Sequence, residues 1–160
     1  MKYIILGVLA ILAAACSEES TNDSPLNKDI NLAIIQDQTA YDQTVGNIIS
    51  DTNSTSDPFE LHYAWLDGWE LKTIVSYSGG CEEHDFYMIW PEVITMIYPP
   101  DFDVYLLHDA NNDLCEAYLT DTLTFNLEDN QLGINQETLQ IMELGIINES
   151  NPKEIVYPND

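Results

Sequence analysis

Ile74-Val75-Ser76-Tyr77-Ser78-Gly79-Gly80-Cys81-Glu82-Glu83-His84-Asp85-Phe86 reads as a strand, a two-glycine break, and a cysteine and histidine opening the next strand. β-Branched and aromatic residues suit the pleated half, and paired glycines let the backbone turn through conformations that other residues avoid. The matching stretch is Asn112-Asp113-Leu114-Cys115-Glu116-Ala117. The chain has three cysteines. Cys16 closes an export segment, which leaves Cys81 and Cys115 as an even pair in a compartment where disulfides persist. A bridge between them closes a long loop and is expected to stabilise by roughly 3–4 kcal/mol. The rival reading is a nucleophilic Cys81 served by His84. A reactive thiol needs cationic surroundings, and Glu82, Glu83 and Asp85 supply the opposite.

Outward from this stretch the pattern is β. Phe59 to Leu66 and Trp69 to Tyr77 flank Asp67-Gly68, a hairpin signal. Phe86 to Trp90, Val93 to Tyr98 and Val104 to His108 follow as strands, separated by prolines. From Tyr118 to Leu127 the side chains alternate. Leu119, Asp121, Leu123, Phe125 and Leu127 face one way, and Thr120, Thr122 and Thr124 the other. Leu139 to Ile147 and Glu154 to Tyr157 form a last hairpin around Asn148 to Pro152. Earlier, Ile30 to Ile35 has strand character. A helix then starts at Asp37-Gln38-Thr39, with Thr39 and Asp42 as a capping box and Tyr41, Val45, Ile48 and Ile49 on one face. The expected fold is mainly β (α+β): an antiparallel β-sandwich or open barrel with one short N-terminal helix.

Composition narrows the function. The chain of 160 residues carries 28 acidic residues against four basic ones, and no arginine. Such a molecule repels phosphate backbones and lacks bidentate anion recognition, so nucleic acid is excluded as a partner. Cations and basic partners remain compatible. Three Trp, nine Tyr and four Phe provide ample packing material. Trp65, Trp69 and Trp90 are candidates for a carbohydrate platform, though core packing is the commoner fate of large aromatics in strands.

The chain divides into residues 1–15, a signal segment; 16–28, a polar tether; and 29–160, a single β-rich domain. Lys2, the apolar run from Tyr3 to Ala13, and the small residues before Cys16 resemble the lipobox of bacterial lipoproteins, with Ala13 where that family usually has Leu. The resemblance implies acylation of Cys16 and a membrane anchor. Ser17, in place of Asp, resembles a protein passed to the outer membrane, with the domain in the periplasm or at the cell surface. An envelope or extracellular partner is then expected. Loss of the signal removes Lys2 and leaves 3 − 28 = −25 in formal charge.

Gly79-Gly80-Cys81-x-x-His84-x-Phe86, His108, Asn112-Asp113-x-Cys115-x-Ala117 and Leu123-Thr124-Phe125-Asn126-Leu127 resemble motifs of bacterial lipoproteins and exported proteins of unknown function, across residues 57–130. Asn126 stands where that set has Asp. The resemblance implies an exported β-rich domain and no activity.

Nothing in the sequence marks catalytic residues. Ser76 and Ser78 near His84 lack the Gly-x-Ser-x-Gly frame. A metal reading stands beside a structural one. His84 and His108, with Asp109, Asn111 and Asp113, offer ligands for Zn²⁺ or Ca²⁺. The 109–113 run opens like a calcium loop but lacks the glycine and glutamate that complete one. Structurally, the same residues pin turns through hydrogen bonds.

Overall fold

A computed structural model of the chain describes residues 29–50, 54–92, 98–128 and 132–158. The signal segment, Cys16, the tether and residues 93–97 of the expected Val93–Tyr98 strand lie outside the described residues.

Strand β1 (Ile30–Gln36) leads into helix α1 (Gln38–Ile49). Asp37 caps the helix by accepting a hydrogen bond from Ala40 N at 2.8 Å, the usual role of a short acidic side chain there. The cap therefore sits ahead of the expected Thr39–Asp42 box, and Asp42 instead accepts from the Gln38 side chain at 2.8 Å. Tyr41, Val45 and Ile48 pack on the sheet as expected, but Ile49 is 79% exposed at the helix end.

The hairpin at Asp67-Gly68 joins β2 (Phe59–Asp67) to β3 (Glu70–Gly79), and Gly68 turns with φ +65°. Then follow β4 (His84–Trp90), β5 (Asp101–Asp109), β6 (Ala117–Asn126), α2 (Gln136–Ile141), β7 (Glu143–Asn148) and β8 (Ile155–Val156). Helix α2 replaces the front of the expected Leu139–Ile147 strand. Asn135 caps it by accepting from Thr138 N at 2.8 Å, and Leu139 is its buried residue.

The strands form two sheets: β1-β4-β5-β7-β8 and β2-β3-β6. The protein is mainly β, as the alternation predicts. The larger sheet is mixed, however, and not antiparallel throughout. β1 runs parallel to β4 and β5 parallel to β7, whereas β2-β3-β6 is antiparallel. The two sheets sandwich the main core, in which Leu71, Phe86, Met88, Trp90, Leu106 and Phe125 are essentially sealed. Burying each such side chain stabilises by roughly 1.5–3 kcal/mol. α1 covers the other face of the larger sheet against Ile89, Tyr105 and Ile147. β6 shows the predicted alternation: Leu123, Phe125 and Leu127 are buried, while Thr120, Thr122 and Thr124 are exposed.

Candidate functional site

The Gly-Gly-Cys turn and the Asn-rich loop meet at one end of the sandwich. Cys81 and Cys115 are joined as a disulfide, with Cα atoms 5.9 Å apart. Asp113 organises the junction. One carboxylate oxygen accepts from the backbone N–H groups of Gly80, Cys81 and Glu82 at 2.8, 2.7 and 2.9 Å. The other accepts from Cys115 N at 2.8 Å. These donors hold its carboxyl well below the usual carboxylate range, with Glu82 N–H the leading cause.

Against the same carboxylate lies His84, its Nε2 at 3.3 Å. His84 Nδ1 is 2.8 Å from His108 Nε2, and the two rings stack at 5.0 Å between centroids. An ionised carboxylate only accepts, so His84 Nε2 carries the proton between them. With both histidines neutral, His84 Nδ1 accepts from His108 Nε2–H. The remaining ring nitrogen, His108 Nδ1, is buried and makes no hydrogen bond of good geometry among the described residues, with the Asp57 and Pro58 backbone nearby. Burial, reinforced by His84, lowers the His108 pKa from 6.5 to about 4, while Asp57 and the Pro58 backbone act weakly the other way. Both histidines are only 2% exposed. Tyr77 closes the pocket, its ring 4.6 Å from His84 and 5.2 Å from His108. Its hydroxyl donates to Asp121 at 2.7 Å, which explains the acidic residue on the apolar face of β6. Gly79 is required by close approach: a Cβ there would lie 2.3 Å from His84 Nε2.

The five proposed metal ligands fall into two groups. His84, His108 and Asp113 form the buried chain. Asp109 and Asn111 belong to the loop outside it: Asn111 N donates to Asp109 at 2.8 Å, and the Asn111 side chain donates to Glu83 O and Asp85 at 3.0 and 2.9 Å. Asn111 and Asn112 adopt positive φ of 51° and 60°, a conformation asparagine tolerates. Among the described residues, one set of three ligand-type atoms lies close together: Cys81, Asp113 and Cys115. Its sulfurs are joined, so it offers no thiolate.

A second histidine network lies on the outer face of β2-β3-β6, where the sequence singles out Trp65 but not His62. The register of β2 against β3 shifts between Leu61 and Tyr63. Such a bulge sends two successive side chains to one side. Leu61 and Ala64 are buried, while His62 and Tyr63 between them are both exposed. His62 Nε2 lies 2.8 Å from Ser76 Oγ, which is 2.7 Å from Thr120 Oγ1. Glu60 lies 3.9 Å from the same His62 nitrogen and accepts from the Tyr118 hydroxyl at 2.9 Å. Tyr63 and Trp65 stack at 5.8 Å with planes 23° apart. Tyr63 and Tyr118 are 52% and 63% exposed. Of the other two tryptophans, Trp90 is fully buried and Trp69 packs against the core. This face is no Ser-His-acid triad. Serine and carboxylate address the same ring nitrogen, whereas a triad needs opposite ones, and Ser76 is only 2% exposed.

No family model matches the chain, and no curated protein matches it. Solved structures similar to it include a protein of unknown function, DUF1344, from Bacteroides vulgatus (10% identity, TM-score 0.49, covering 81% of this chain and 56% of that one). A toxin-related protein from Parabacteroides distasonis shares 14% identity (TM-score 0.47, 80% and 58% covered). A NigD-like immunity protein from Bacteroides caccae shares 16% (TM-score 0.44, 83% and 60% covered). The chain spans less than two thirds of the length of each. Similarity at this level assigns neither a family nor a function.

Among the described residues no helix is long and apolar enough to cross a membrane.

Proposed function

We propose that this is an exported, non-enzymatic binding module, acylated at Cys16 and anchored to the outer membrane. The observation that carries the non-enzymatic part is the sealing of His84, His108 and Asp113. These groups are the chain's best acid-base and metal-binding candidates, and they are spent on one another and on backbone N–H groups. A catalytic group must reach a reacting atom, and rings at 2% exposure reach none. The anchor rests on the signal-like start before Cys16 and the acceptor position of that cysteine. The disulfide fits an oxidising compartment. The exposed, hydrogen-bonded face of β2-β3-β6 is the binding surface in this reading.

Metabolic labelling with a palmitate analogue tests the anchor. The full chain expressed in a Gram-negative host should incorporate label and fractionate with outer membranes, and Cys16→Ala should abolish both. An unlabelled wild-type chain recovered free in the periplasm would overturn the lipid anchor.

A further inference from the structure

We propose that the outer face of β2-β3-β6, built from Glu60, His62, Tyr63, Trp65, Tyr118 and Thr120, binds an uncharged polysaccharide. The inference rests on the binding-module reading and names the ligand class of that same face.

Three observations converge on it. First, the face is built, not left over. The β2 bulge places His62 and Tyr63 side by side on the outside, and Ser76 and Thr120 tie His62 to the sheet. Polar groups fixed before a ligand arrives lose little freedom on binding. Second, the face combines the two features that sugar rings need. The Tyr63–Trp65 stack and the exposed Tyr118 ring present apolar surface to the C–H faces of a pyranose. The Glu60 carboxylate and the Thr120 hydroxyl sit beside them for its hydroxyls. A carboxylate has acceptor capacity beyond the one bond it takes from Tyr118.

Third, charge complementarity selects among occupants. The chain carries a formal charge of −24, which repels an anionic polymer and equally a second copy of itself. Of the six platform residues only Glu60 is an acid, and Tyr118 already engages it. The neighbouring Asp67 and Glu70 are both paired with Lys72, opposite Trp65, so a basic protein would find its carboxylate partners already engaged. An uncharged polyol loses nothing on either count.

The test uses the full mature protein and a panel of soluble polymers: laminarin, amylopectin, xylan and galactomannan as neutral probes, polygalacturonate and polylysine as charged controls. Affinity electrophoresis and Trp fluorescence read binding. At least one neutral probe should bind, with little dependence on salt. Tyr63→Ala and Tyr118→Ala should each weaken it by about tenfold or more, in line with aromatic stacking energies, and Tyr118→Phe, which keeps the ring, by less. These positions are exposed, so unchanged melting separates lost binding from lost folding. Failure of every neutral probe would overturn the proposal, as would binding confined to polylysine and quenched by salt, or binding that survives Tyr63→Ala. Membrane labelling at Cys16 reads independently, so the ligand assignment can fall while the anchored-module reading stands.

Discussion

The molecule holds two histidine networks, and they are opposites. At the disulfide end, His84 and His108 are stacked, hydrogen-bonded and closed off by Tyr77, Asp113 and the Cys81–Cys115 bridge. On the outer face of the small sheet, His62 is 41% exposed at its side chain, with the buried Ser76 hydroxyl beneath it and the exposed Thr120 beyond. The same side chain does two jobs because desolvation differs. Sealed from water, the His108 imidazole is held neutral to lower pH, and the stacked pair fixes geometry. In water an imidazole remains free to meet a ligand. The buried network should therefore govern stability, and the exposed one recognition.

The strongest challenge to that division is removal of the staple. Replacing Cys81 and Cys115 together with serine opens a loop whose ends are 34 residues apart, which should cost about 4 kcal/mol on the chain-entropy model. Urea unfolding under non-reducing conditions measures it. A loss below about 1 kcal/mol would mean that the Asp113 hydrogen bonds alone hold that end.

Acid is the next lever. His108 has a folded pKa of about 4 against 6.5 in the unfolded chain. Between those values the unfolded state binds the extra proton, so stability rises with pH there. The contribution is complete above pH 6.5 and is lost as pH falls toward 4. The expected loss is roughly 3 kcal/mol from the size of the shift. Asp113, also depressed in the fold, adds its own loss only below the ordinary Asp range. His108→Gln, which can still donate to His84, should flatten the urea-midpoint profile between pH 4 and 6.5. An unchanged profile would place the acid sensitivity elsewhere.

The smallest effect belongs to the exposed network. His62→Ala removes a hydrogen bond in reach of water and should change stability by less than about 1 kcal/mol. A loss rivalling that of the disulfide would erase the contrast between the two sites.

How much of this is legible in the sequence follows the range of the interactions. The hairpin at Asp67-Gly68, the alternation of β6 and the helix after Asp37 depend on neighbours in the chain, and local pattern predicts them. The Cys81–Cys115 pairing follows from counting cysteines, and the approach of His84 to His108 from their place beside it. The parallel pairing of β1 with β4 is another matter: it joins residues 54 positions apart, such as Ile30 and His84, and no local period encodes it. Helix α2 is six residues long, too short for a face to repeat, so its Leu-Gln-Ile segment reads equally as strand. The His62 network is invisible for a related reason. The bulge that turns His62 outward is a mismatch between two strands, and strict alternation along one strand predicts nothing of it. Its only trace is Leu61-His62-Tyr63-Ala64, where two solvent-facing side chains stand between two buried ones.

Strand β1 lies alongside β4 in the same direction, from Ile30 opposite His84 to Gln36 opposite Trp90. A force applied at Ile30 along the strand axis would load the paired positions in shear. The paired positions then resist sliding together, where a strand drawn sideways would peel one rung at a time. The rung that meets the pull first is His84, clamped from behind by Asp113. Ile30 thus enters the sheet beside the end that the disulfide and Asp113 brace.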